Sequence, residues 1–155
     1  MTNIWRLTMT HLRKSVHIFI FFVLSIFSLS SCNVHYIADY DSSVKDEIVQ
    51  IAKNVDLFWG EVLDISKEQR SYSKFKDQYN QIETEIRGLV IKNEIRPLNE
   101  ASTKQAKIAL DLWIEDRTNH RKNNTISDFE ARLHRQQYLR AFIAMAKGEE
   151  AKKDK

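Results

Sequence analysis

From Val44 onward the apolar residues fall at alternating steps of four and three: Val44, Ile48, Ile51, Val55, Phe58, Val62 and Ile65. Seven positions on this rhythm make the a/d seam of an amphipathic helix. A first helix is therefore predicted over residues 43–65, capped by Ser42 or Ser43, with Asp46 and Glu47 facing the positive end of its dipole. Gly60 is its weak point, since glycine inside a helix costs about 1 kcal/mol relative to alanine. It either admits a close neighbour beside Trp59 or loosens the helix.

The pattern recurs in Tyr72, Phe75, Tyr79, Ile82, Ile86 and Leu89, with aromatics early and aliphatics late. This second helix is expected to end before Asn93, because Arg96 precedes Pro97 and is pushed out of the α region. Asn99, Ser102 or Thr103 can cap a third helix carrying Ala106, Ile108, Ala109, Leu110, Leu112 and Trp113, a broader and less regular face that residues 119–124 (NHRKNN) should stop. Ser127 and Glu130 form a capping-box pattern at the start of a fourth. Its expected inner stripe is Phe129, Leu133, Leu139, Phe142, Ile143 and Ala146, interrupted by Gln136, and the charged tail 148–155 is expected to fray.

Short connections between four amphipathic segments predict an all-α fold, an up-down four-helix bundle over residues 43–147. Three connections that turn the chain back favour an intramolecular bundle over heptads that seal a coiled-coil oligomer. Composition agrees: three glycines and one proline in 155 residues are too few for a turn-rich β fold or a glycine-rich nucleotide site.

Charge divides the chain. Arg6, Arg13 and Lys14, with no acid before residue 32, account for the whole formal charge of +3, so residues 32–155 are balanced. A balanced module has no basic field for nucleic acid, and none is expected as partner. Residues 18–29 (IFIFFVLSIFSL) follow that basic stretch. Twelve helical residues span about 18 Å, short of the ~30 Å hydrocarbon core, which is the layout of a cleaved signal peptide over residues 1–31. Met9 would open a shorter charged region than Met1 does.

Leu29-Ser30-Ser31-Cys32 resembles the lipobox of bacterial lipoproteins: a branched apolar residue, two small residues, then cysteine. The resemblance implies that a signal peptidase recognises Leu29, Ser30 and Ser31 and cleaves before Cys32. It also implies a diacylglyceryl group on the Cys32 sulfur, commonly with a further acyl chain such as palmitate on the new amino terminus. Cys32 is the chain's one cysteine, so no intramolecular disulfide competes. Two or three acyl chains at ~0.8 kcal/mol per buried CH₂ anchor stably. Asn33 in place of aspartate implies sorting to the inner leaflet of the outer membrane in a Gram-negative host, and otherwise the outer face of the cytoplasmic membrane. Residues 32–42 then act as a lipidated tether whose ten residues after Cys32 reach at most ~33–36 Å. His35, Tyr36 and Tyr40 either rest at headgroup level or pack on the bundle.

Catalytic signatures such as HExxH and GxSxG are missing from the sequence, and no catalytic cysteine is assigned. Asp116 with His120 and Glu130 with His134 stand four apart on helices, a spacing that can hold a divalent metal. Arg117, Arg121, Arg132 and Arg135 would repel a cation there, so surface contacts are the expected role and no metal site is predicted. Tyr72, Phe75, Tyr79, Trp59 and Trp113 are read as core. Residues 117–122 and 132–140 read as a locally positive, solvated half of the last hairpin, with anionic lipid or a partner protein as the alternative contact. The expectation is a non-catalytic lipoprotein without cofactor beyond the covalent lipid, binding another envelope component or itself. The alternative is a bundle that carries or senses a metal ion or small ligand.

Overall fold

The computed structural model describes residues 37–154. The expected signal peptide, with Leu29, Ser30 and Ser31, and the expected tether residues Cys32, Asn33, His35 and Tyr36 lie outside the described residues.

Four helices pack together: α1 (Ser42–Asp64), α2 (Tyr72–Glu94), α3 (Glu100–Asn123) and α4 (Asp128–Glu150), with 3₁₀ turns at Lys67–Gln69 and Ala151–Asp154. Among the described residues there is no strand. Side-chain links between neighbours run in opposite residue order. Glu47 meets Lys92 at 2.7 Å while Glu61 meets Gln78 at 2.5 Å, and Glu94 meets Lys107 at 2.6 Å while Glu83 meets Arg117 at 2.7 Å. Asp56 pairs with Arg135 and Lys45 with Glu150, so α4 returns alongside α1.

The α1 seam is buried as its spacing predicts, from Val44 through Val62, with Trp59 added and Ile65 partly buried. The helix passes through Gly60 without loosening, because the guanidinium of Arg135 fills the adjacent space. Its cap is neither Ser42 nor Ser43. Asp41 is extended, and its carboxylate accepts from the Ser43 amide at 2.8 Å, which moves Asp46 and Glu47 beyond the first turn.

α2 runs past Asn93 to Glu94. Asn93 is buried, donates to the Leu89 carbonyl at 2.9 Å and accepts from Asn99 at 2.7 Å, so it joins helices rather than ending one. That contact occupies the Asn99 side chain, which makes no capping bond, while Ser102 and Thr103 sit inside α3. Ile108 is exposed. The inner face steps instead through Ala106, Ala109, Leu110, Trp113, Asp116 and His120. Residues 119–123 continue the helix, and Asn124 ends it in the left-handed region at φ 52°.

The capping box of α4 is present: Ser127 Oγ accepts from the Glu130 amide at 3.2 Å and Glu130 accepts from the Ser127 amide at 2.8 Å. The expected inner stripe is displaced. Phe129, Leu133, Leu139 and Ile143 are exposed, and of the six only Phe142 is buried and Ala146 partly so. The helix instead turns Ala131, Tyr138, Phe142, Met145 and Glu149 inward, because Tyr138 and Glu149 find buried hydrogen-bond partners there. The tail does not fray through residue 154. Glu149 is 1% exposed and accepts from the Asp41 amide at 2.9 Å, from Arg96 at 2.9 Å and from Lys152 at 2.5 Å. Tyr40 packs on the bundle, under the Lys153 ammonium 4.4 Å from its ring centre.

Candidate docking groove between the first and fourth helices

Because α4 turns a partly polar face inward, its apolar residues are left outside, beside the outward positions of α1. Between the two helices lies an open groove of ≈ 650 Å³. Val49, Leu57, Leu139 and Ile143 give it exposed apolar walls, Leu57 being 62% exposed, and the small Ala52 and Ala146 leave room between them. Phe129, at 74%, and Leu133 are exposed on α4 as well, outside the lining of the groove.

The Asp56–Arg135 fork bridges the groove, with bonds of 2.6 Å and 2.8 Å. The Arg135 hydrogen bond holds the Asp56 carboxyl below its ordinary range despite partial burial. Both groups are about two-fifths exposed, so the pair aligns the helices more than it stabilises them.

Behind the groove, of the aromatic residues read as core, Trp59, Phe75, Tyr79 and Trp113 are buried and Tyr72 packs partly buried against them. Phe58 sits 4.9 Å from Trp59, 4.6 Å from Tyr79, 5.1 Å from Trp113 and 5.7 Å from Phe75. The Trp113 indole N–H donates to the Tyr79 carbonyl at 3.0 Å. The Trp59 ring stacks on His134 at 5.2 Å.

Of the four paired acid and histidine positions, Asp116 and His120 are buried, His134 is partly buried and Glu130 stays exposed at the surface, and neither i,i+4 pair is the one formed. Asp116 is buried, lies 3.2 Å from His134 Nδ1 and accepts from the Tyr138 hydroxyl at 2.8 Å. Burial pushes its carboxyl up to about 6, against the opposing pull of His134 and the Tyr138 hydrogen bond. His120 is 1% exposed. Its Nε2 lies 2.8 Å from the Arg70 carbonyl, which can only accept, so Nε2 carries the proton and Nδ1 accepts from the Tyr79 hydroxyl at 3.2 Å. Burial lowers its affinity for a second proton. Glu130 is spent on the cap. Among the described residues no three His, Cys, Asp or Glu side chains gather as a metal site.

Of the six cations in the positive half-hairpin, three are paired with acids, while Arg121, Lys122 and Arg140 stay exposed. Arg117 pairs with Glu83, Arg132 with Asp128 and Arg135 with Asp56, all but the second across helices. Sequence reading overlooked Arg70, which is buried, donates to the carbonyls of Ile65 and Ile126 and pairs with Asp128 at 2.7 Å. It ties the α1–α2 connection to the start of α4, and no local pattern announces a cation whose partners lie 56 residues away.

Comparison with protein-family models, curated proteins and solved structures finds no match to this chain.

Proposed function

We propose that the chain is an exported lipoprotein anchored through acyl chains on Cys32, and that its up-down bundle binds an amphipathic helix of another envelope protein in the α1–α4 groove, without catalysis. The anchor reading rests on the order of basic stretch, short apolar run and Leu29-Ser30-Ser31-Cys32, with Asn33 favouring the inner leaflet of the outer membrane in a Gram-negative host. The binding reading rests on one observation: Leu57, Leu139 and Ile143 stand exposed along an open trough between two helices. A helix suits the trough because it presents apolar residues at i, i+3, i+4 and i+7 along one face, and the small Ala52 and Ala146 line the trough.

A photo-reactive amino acid placed at position 139 tests this in cells, with position 108 as an exposed apolar control on α3. The expected result is one defined envelope protein, cross-linked through a helical peptide at 139 and not at 108, and lost in Leu57→Asp. Equal yields at both positions refute the groove, and links only between copies of this chain assign it to self-association. The anchor has a separate test. Cys32→Ala should abolish acyl labelling and leave full-length precursor, and a mutant labelled like its parent rejects the assignment.

A further inference from the structure

The two poles of the bundle differ. At one, the connections 65–71 and 124–127 are mostly polar (ISKEQRS and NTIS) and Ile126 is buried, with Phe129 exposed beyond them on the first turn of α4. At the other, the α2–α3 connection reads Ile95-Arg96-Pro97-Leu98, with Ile95 76% exposed and Pro97 and Leu98 exposed. Ile91, one turn earlier on α2, is also exposed and extends the apolar strip. Leu98 holds φ 58°, a left-handed conformation that a leucine rarely adopts.

This loop is fastened to the beginning of the described chain. The Ala38 amide donates to the Leu98 carbonyl at 2.9 Å, and Ala38 itself is buried. Arg96 turns inward, donating to the Asp39 carbonyl and to Glu149, which also accepts the Asp41 amide. The cation is thus held inside while its apolar neighbours Ile95 and Leu98 stand outside. Ala38 is the sixth residue after Cys32, a reach of at most ~20–22 Å. If acyl chains on Cys32 sit in a bilayer, the apolar loop is confined to the layer of solvent next to it.

We infer that Ile95 and Leu98 form a second, non-covalent membrane contact, entering the interfacial zone of the bilayer to which the lipid anchor holds the chain. This inference rests on the anchor proposed above. Acids and bases are mixed at this pole, with Asp39, Asp41, Glu94 and Glu100 beside Arg96, Lys152 and Lys153. The contact is therefore apolar insertion and not attraction to an anionic headgroup, and it persists at high salt. It orients the bundle with its axis away from the membrane and leaves the length of the α1–α4 groove facing the compartment.

The test uses the mature full-length protein, its acylation verified by intact mass, reconstituted in phosphatidylethanolamine–phosphatidylglycerol vesicles. Ile95→Cys, Leu98→Cys and, at the other pole, Phe129→Cys are each labelled with an environment-sensitive fluorophore; the acylated Cys32 sulfur does not react. At 95 and 98 the dye should emit at shorter wavelength, respond to a quencher in the acyl chains and show several-fold weaker iodide quenching than at 129, at low and high salt alike. Equal iodide quenching at 95 and 129 in protein that co-sediments with vesicles overturns the contact and leaves the anchor standing. Protection at 95 that persists in detergent without vesicles overturns it in favour of a protein contact. An intact mass that shows no acyl group on Cys32 of the protein isolated from cells overturns the anchor and the contact together.

Discussion

Replacing Glu149 by glutamine should destabilise the bundle far more than a change in a seemingly disposable tail would suggest. The carboxylate is 1% exposed and receives Asp41 N–H at 2.9 Å, Arg96 at 2.9 Å and 3.3 Å, and Lys152 at 2.5 Å. Glutamine keeps the shape and one acceptor oxygen but leaves two largely buried cations without their counter-charge. Removing one partner of a buried pair typically costs about 3–5 kcal/mol. Here Lys152 keeps Asn99 at 2.7 Å and Ser102 at 3.0 Å, and Arg96 keeps the Asp39 carbonyl, which places the loss near the lower end, about 3 kcal/mol. For a domain of this size that corresponds to a fall in Tm of roughly 10–15 °C, read by far-ultraviolet circular dichroism. Burial raises the Glu149 pKa, but hydrogen bonds from Arg96, Lys152 and the Asp41 amide outweigh it and hold it below the ordinary value of 4.5. A depressed carboxylate contributes stability above its unfolded pKa and loses it as pH falls through the folded one. The gap between parent and Glu149→Gln should therefore be full at pH 7 and narrow below about pH 4.5. A variant within ~0.5 kcal/mol of the parent at pH 7, a change no larger than an ordinary surface substitution makes, would refute the hub.

Asp116→Asn should do the opposite with pH. A folded carboxyl raised to about 6 favours the native state in acid and loses that advantage as pH rises from about 4 through 6, a swing of about 3 kcal/mol. Melting both proteins from pH 4 to 7 should show the parent losing stability relative to the variant, and parallel curves would reject the raised pKa. Gly60→Ala should raise stability by about 0.5–1 kcal/mol, since the new methyl would meet the Arg135 guanidinium at an ordinary 3.8 Å. The same methyl narrows the groove, so weaker cross-linking at position 139 should accompany the higher Tm; a lower Tm would mean that the space is tighter than 3.8 Å suggests.

Where an element's own residues decide its conformation, the sequence was a good guide. The heptad seam of α1, the aromatic run of α2 and the capping box of α4 are local patterns, and each appears in the structure. Boundaries failed where long-range contacts intervene. Asn93 continues α2 because it is bonded to Asn99, and Asp41 caps α1 in place of the serines.

The largest difference is the rotation of α4. Hydrophobicity alone chose Phe129, Leu133, Leu139 and Ile143 for the core, whereas the fold turned in Tyr138 and Glu149, with His134 half-buried behind Trp59. Polar side chains go inside only where another part of the chain supplies partners, and Asp116, Arg96 and the Asp41 amide lie 22, 53 and 108 residues away from the groups they satisfy. The sequence by itself therefore determined that the chain makes four amphipathic helices and that a lipobox-like segment precedes them. Only tertiary structure decided which face of α4 is outside, because that choice depends on hydrogen bonds between residues that no local period connects, and with it came the groove and the fastened apolar loop.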